Sequence, residues 1–251
     1  MQLWFKNKFY DDLSDIRHES QGYYKHYVHN FFTHFFDTTK VRGKNILDFG
    51  CGPGFYSAIL AQRGANVIGI DLSAFLIKKA NEYKSKLKLS NIQFIKDDFL
   101  NFSLRCKPAN YDFVIAIDTI VSFDANKRRH EHERAVAAFK GVNRVLKPDG
   151  KFFIIEAHPF FRKGSEVVLE TQKRFYVRDS GYKIDYKSKS DKNHWFTLDE
   201  MTKSINEAGL AILRIYEPDP SIALKEYNAA YYSMRLRYPA MIVYEICKVK
   251  P

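Results

Sequence analysis

Residues 46–57 read "ILDFGCGPGFYS": an apolar run, an acid, then three glycines on alternate positions around one proline. The run before Gly50 is continuously apolar, as in a strand covered on both faces. Phe55 opens a helical segment that stops at Gly64, a suitable residue just past a helix end. A strand, a tight turn and a helix form the first unit of an α/β sheet. One glycine would satisfy such a turn. Three, with Pro53 fixing the loop, imply a ligand lying against bare backbone.

The rest of the chain repeats the alternation. Apolar runs follow at 66–71, 92–96, 112–118, 151–156, 211–216 and 241–247, separated by segments with helical punctuation. Ser73 is placed to cap a helix presenting Leu76, Ile77, Ala80 and Tyr83. Thr197 and Glu200 form a capping box ahead of Met201, Ile205 and Ala208. The expected fold is α/β: a doubly wound, mostly parallel seven-stranded sheet of Rossmann-like type, with helices on both faces and a helical N-terminal cap. We read residues 1–251 as a single domain. It divides into a cap (1–40), a cofactor-binding core (41–156), an insertion on the substrate side (157–193) and a C-terminal helix and strands (194–251).

The 251 residues suffice to bury a substantial core. No apolar stretch approaches the roughly 20 residues that cross a bilayer, and the N-terminus has no apolar leader region. Three scattered cysteines argue for free thiols in a reducing compartment, so we expect a cytoplasmic protein. The net charge of +11 raises the question of nucleic acid. Two of the basic runs, 78–88 and 127–134, read as solvated helix faces.

In an open α/β sheet the ligand lies outside the carboxyl ends of the strands, where the strand order reverses. The dinucleotide pattern G-x-G-x-x-G would put a glycine at position 55, which here is Phe55. The pattern present is D-x-G-x-G-x-G, from Asp48 through Gly50 and Gly52 to Gly54. Asp48 is poorly placed for a phosphate and well placed for an ammonium group. Asp71, ending the second strand, can accept bonds from two sugar hydroxyls. A nucleoside bearing positive charge and no phosphate satisfies both, and S-adenosylmethionine is such a molecule.

Five segments in order then resemble the class I S-adenosylmethionine-dependent methyltransferases: "LDFGCGPG" (47–54), "IGIDLS" (68–73), "FIKDDF" (94–99), "YDFVIAID" (111–118) and "VLKPDGKFFI" (145–154). "IEAHPFF" (155–161) and the stretch 196–220 are similar to a bacterial subgroup acting on small molecules, although His194–Trp195 stands where that group often has His-Arg. The resemblance implies that Asp48 and the backbone of Gly50, Cys51, Gly52, Pro53 and Gly54 hold the methionine moiety. It implies that Asp71 holds the ribose with Leu72 and Leu76 against the adenine. Asp98 and the Phe99 amide would read the adenine edge, and Ile117 and Asp118 would close the pocket. Asp48 has orienting the loop as a second role open to it, and Leu72 and Leu76 have simple helix packing.

Methyl transfer from a sulfonium needs positioning and desolvation, and a base only where the acceptor arrives protonated. His158, two residues past the fifth strand, and His194, before the capped helix, are the candidate bases; for His158, shaping the turn ahead of Pro159 is the structural alternative. Tyr23, Tyr24, Tyr27 and Phe160 are candidates to line the substrate pocket, with packing onto the sheet as the alternative for the tyrosines. No metal is expected: His130 and His132 read as part of a solvated helix start, and His18, His26, His29 and His34 do not share a helical face. The expected reaction is methylation of a small-molecule N, O or C nucleophile. An RNA methyltransferase using the basic aromatic stretch 160–192 and a non-catalytic cofactor-binding protein are the alternatives. Against the first, the N/D-P-P-aromatic signature is absent, since position 118 begins "DTIVSF".

Overall fold

The computed structural model describes residues 24–38, 41–120, 123–124, 128–158, 193–194 and 197–249. Tyr23, Phe160 and nearly all of the 157–193 insertion lie outside the described residues.

A turn of π-helix, Tyr24–His29, runs into α1 (Asn30–Thr38). Then follow β1 (Asn45–Phe49), α2 (Phe55–Gln62), β2 (Asn66–Asp71), α3 (Ala74–Lys86), β3 (Ile92–Lys96), α4 (Phe99–Arg105) and β4 (Tyr111–Ile117). After a two-residue strand β5 (Phe123–Asp124) come α5 (Arg128–Val145) and β6 (Leu146–Ala157). The chain closes with β7 (Asn193–His194), α6 (Leu198–Glu207), β8 (Leu210–Tyr216), α7 (Ile222–Tyr227), α8 (Ala229–Arg237) and β9 (Met241–Lys248).

The main sheet has seven strands in the order β3-β2-β1-β4-β6-β9-β8. The first five are parallel, and β9 runs antiparallel to both its neighbours. This is the expected mostly parallel sheet. The order reverses between β1 and β4, which places a crevice at their carboxyl ends.

Strand side chains alternate between faces, and β4 and β6 show how this divides the core. Val114, Ala116, Phe152 and Ile154 belong to one apolar layer with Phe99 of α4, Phe139 and Val142 of α5 and Met201 and Ile205 of α6. Ile115, Phe153 and Ile155 belong to the other, with Phe32 and Phe36 of α1, Leu60 of α2 and Ile77 of α3. Phe32 and Phe36 are thus core. Phe36 meets Phe153 at 5.5 Å between ring centroids, and Phe32 meets Tyr56 at 4.8 Å. Burying such a side chain contributes roughly 1.5–3 kcal/mol.

The punctuation read from the sequence is present. Ser73 Oγ accepts from Leu76 N at 3.2 Å. Thr197 and Glu200 exchange both capping-box bonds, at 3.2 and 2.8 Å. Two features were not anticipated. α7 and α8 carry no broad apolar stripe: of their described side chains only Leu224 and Arg235 are buried, so periodicity does not reveal them. The short ladder pairing Phe123 with His194 joins two segments too brief to show alternation.

Candidate active site

The loop after β1 crosses towards β2, with Gly50 N and Cys51 N both donating to the Ile70 carbonyl at 2.8 and 2.9 Å. Gly50, Gly52 and Gly54 all adopt positive φ, 76°, 53° and 79°. Their surroundings differ. A Cβ on Gly50 would strike the Thr119 side chain, and one on Gly54 would strike Phe94 and Ala80. A Cβ on Gly52 would meet nothing within 4 Å. Two of the three glycines therefore have internal reasons, and Gly52 alone turns bare backbone towards open space. Gly69, not singled out in the sequence, admits Phe94 and Cys51 Sγ beside it. The Cys51 thiol is buried, and burial followed by the charges of Asp48 and Asp71 pushes its pKa up, so it is an inert packing group. Pro53 is half-buried.

Asp48 is 2 % exposed. Ser57 Oγ, from the first turn of α2, donates to its Oδ2 at 2.5 Å. Burial pushes the Asp48 pKa to about 7; the Ser57 bond pulls it down and the Asp71 charge adds to the rise. A carboxyl poised in this way is stabilised as an anion by an arriving cation.

Asp71 ends β2 and braces the loop: Oδ2 accepts from Gly52 N at 3.0 Å and Oδ1 from Ser73 N at 2.8 Å. Burial raises its pKa, while these two amides lower it. Each carboxylate oxygen has a second acceptor position, so the brace is compatible with a bound diol. Leu72 beside it is 57 % exposed, as is Phe75, while Leu76 is half-buried. Two large exposed apolar side chains, Leu72 and Phe75, next to this acid offer a surface for a flat ring. Phe75 escaped the sequence reading because an apolar residue early in a helix carries no distinguishing signal.

Asp98 caps α4, its Oδ1 accepting from Leu100 N at 2.9 Å. The Phe99 ring stacks on Phe49 at 4.0 Å and is core, which leaves only its backbone to meet a ligand. Ile117 packs on the second apolar layer. Asp118 is half-buried with φ of 46°, a left-handed conformation uncommon outside glycine. The next residue, Thr119, bonds the Phe49 carbonyl at 3.1 Å and abuts Gly50, so the end of β4 closes onto the glycine loop.

Two acids on this side were missed. Glu156 is buried at the end of β6; an acid in "KFFIIEA" (151–157) was the available signal. Glu217, after β8, lies 2.9 Å from His158 Nε2. His158 is 6 % exposed, and its backbone N–H donates to the Ala240 carbonyl at 2.9 Å. The same segment, 217–221, is also tied to the N-terminal turn: Ser221 Oγ lies 2.6 Å from His26 Nδ1. Tyr27 is 2 % exposed within the second apolar layer, its phenol pKa raised by burial and then by Tyr231. It packs onto the core. The side chains of Tyr24 and His194 fall outside the described residues.

The residues present fit S-adenosylmethionine: a buried acid that a cation would hold ionised, a loop whose middle glycine faces open space, and an acid at the end of β2 beside exposed apolar side chains. Comparison with known proteins agrees. A family described as a methyltransferase domain matches residues 40–209. A ubiquinone biosynthesis O-methyltransferase of Actinobacillus pleuropneumoniae is 28 % identical over 137 residues, 51 % of this chain and 54 % of that protein. A sterol 24-C-methyltransferase of Gibberella zeae is 33 % identical over 117 residues, 45 % of this chain and 28 % of that protein. The chain thus spans about half or less of these relatives' length. In fold it is similar to an S-adenosylmethionine-dependent methyltransferase of Mesorhizobium loti (TM-score 0.59, 17 % identity, 82 % of this chain and 92 % of that one). It is also similar to a magnesium protoporphyrin IX methyltransferase of Synechocystis with bound S-adenosylhomocysteine (TM-score 0.57, 17 % identity, 88 % and 81 %). With most of its length under the family match, the chain belongs to the methyltransferase-domain family.

Proposed function

We propose that this protein transfers the methyl group of S-adenosylmethionine to a small-molecule N, O or C nucleophile. The observation that carries the reading is the loop in which buried Asp48, open Gly52 and Asp71 converge. Asp48, ionised, takes the ammonium group, with the backbone of residues 50–54 along the methionine end. Asp71 takes the ribose hydroxyls, Leu72 and Leu76 cover the adenine, and Asp98 with the Phe99 amide reads its edge. Ile117 and Asp118 close the site. The relatives named above for ubiquinone, sterol and porphyrin methylation favour a small acceptor. A reducing, cytosolic setting suits the three free thiols. Among the described residues no helix is long and apolar enough to cross a membrane.

When bound, the cofactor supplies an activated methyl group on a sulfonium. The chain's own work is alignment and exclusion of water, and such alignment is worth up to about 7–11 kcal/mol. Where the acceptor arrives as an N–H or O–H, the His158 imidazole takes the proton as the acceptor attacks, and Glu217 on its Nε2 steadies the imidazolium. The net charge of +11 makes RNA the class to be separated experimentally. Incubation with methyl-labelled S-adenosylmethionine and either a small-metabolite extract or total RNA does so. We expect label in the small-molecule fraction; label confined to RNA overturns the acceptor class.

A further inference from the structure

Glu156 has no part in the cofactor assignments above. It follows the buried apolar run 152–155 near the end of β6 and is 2 % exposed. Its Oε1 accepts from the Thr119 amide at 3.1 Å and from the Ile120 amide at 2.9 Å. Those amides immediately follow Asp118, whose own N–H donates to the Ile155 carbonyl at 2.9 Å. Residues 118–120 are therefore folded back over the end of β4 and held there from β6. That hold supports the left-handed φ of Asp118, a conformation that persists only where its surroundings fix it.

Glu156 Oε2 is buried with no donor on it, and the neighbouring group is the Asp118 carboxyl, itself an acceptor. Two carboxyl groups so placed hold one proton between them. Burial first, then the Asp118 charge, pushes the Glu156 pKa well up, so the proton resides there. Tyr244 of β9 also faces Glu156 and stays neutral, its phenol pushed up by burial and by that acid. Asp118, half-buried, is the partner whose charge acts on Glu156. In the sheet, β1 lies between β2 and β4, so Asp71 and Asp118 flank the glycine loop on opposite sides.

We propose that Glu156 is a positioning residue, which through the Thr119 and Ile120 amides fixes the Asp118 carboxylate beside the glycine loop, where it favours the sulfonium of the cofactor over the uncharged thioether of its product. The proposal rests on the methyl-transfer reading above. It gives the site a built-in bias against product, since loss of the methyl group removes the positive charge that Asp118 meets.

The test is calorimetric titration of S-adenosylmethionine and S-adenosylhomocysteine into the wild type, Asp118→Asn, Glu156→Gln and Glu156→Leu, with thermal unfolding as a check on folding. Asp118→Asn should lower the ratio of sulfonium to thioether affinity by about tenfold, the effect of one nearby charge at intermediate dielectric. Glu156→Gln keeps an acceptor for the two amides and a donor for Asp118, and should hold the ratio within about twofold of wild type. Glu156→Leu should fall to the Asp118→Asn ratio; if it fails to fold, the other two variants still decide. An Asp118→Asn ratio equal to wild type, or a Glu156→Gln ratio lowered like that of Asp118→Asn, overturns the proposal while leaving the cofactor site intact. Failure of the wild type to bind either ligand removes the methyl-transfer reading and the proposal with it.

Discussion

Ser57 Oγ donates a 2.5 Å hydrogen bond to Asp48, joining the first turn of α2 to the end of β1 in a spot closed to solvent. This bond opposes the burial that holds the Asp48 pKa near 7. Ser57→Ala should raise that pKa and weaken S-adenosylhomocysteine binding at pH 7 by roughly three- to tenfold. The deficit should shrink by pH 8.5, where Asp48 is ionised in both proteins. Calorimetry at the two pH values checks this, and an equal deficit at both contradicts it.

The same acid gives a pH-dependence of stability with a definite sign. Below about pH 4 Asp48 is neutral in folded and unfolded chains alike. Between pH 4 and 7 the unfolded chain has lost the proton and the folded chain keeps it, so stability falls as pH rises through that window. The loss from Asp48 is on the order of a few kcal/mol. Asp71 and Glu156 act in the same direction, so the comparison must be with Asp48→Asn. That variant should show a shallower decline in denaturant midpoint from pH 4.5 to 7.5.

Two of the loop glycines, Gly52 and Gly54, should separate by phenotype. Gly54→Ala combines positive-φ strain with a collision against Phe94 and Ala80, costing on the order of 2–4 kcal/mol. Gly52→Ala carries only the strain, about 1–2 kcal/mol, because nothing lies within 4 Å. Its larger effect should be on cofactor affinity. Thermal unfolding and ligand titration of the pair should therefore rank them oppositely.

Asp71→Ala removes the brace on Gly52 N and the carboxylate proposed to hold the ribose, and should weaken S-adenosylhomocysteine binding by tenfold or more. Unchanged affinity would sink the assignment of this acid to the cofactor.

Thr197→Ala should cost about 1 kcal/mol through loss of the capping box on α6. In a domain of this size that is a fall in Tm of about 2–4 °C. Thr197→Ser should recover most of it, and ligand affinity should not move.

The strands were legible because parallel strands buried on both faces are short continuous apolar runs, and "NILDF" or "FFII" can hardly be anything else. Caps at Ser73 and Thr197 were legible because they are local chemistry. The reason for each glycine was not: Gly50 and Gly54 are small on account of Thr119 and Phe94, which are distant in sequence. Nor was the Asp118–Glu156 pair, since parallel pairing of β4 with β6 creates it across 38 positions. Glu217 reaches His158 for the same kind of reason, through the order in which β8 and β9 join the sheet. Tyr27 had aromatic spacing that suits a ligand roof as well as a core, and only its burial distinguishes the two.

The most direct test is calorimetric titration of the protein with S-adenosylhomocysteine, beside NAD, at low and high salt. We expect binding of the first in the micromolar range, none of the second, and little change with salt, because no row of phosphates is being neutralised. Absence of S-adenosylhomocysteine binding, or NAD binding in its place, would contradict the reading of Asp48, Gly52 and Asp71 as a methyl-donor site.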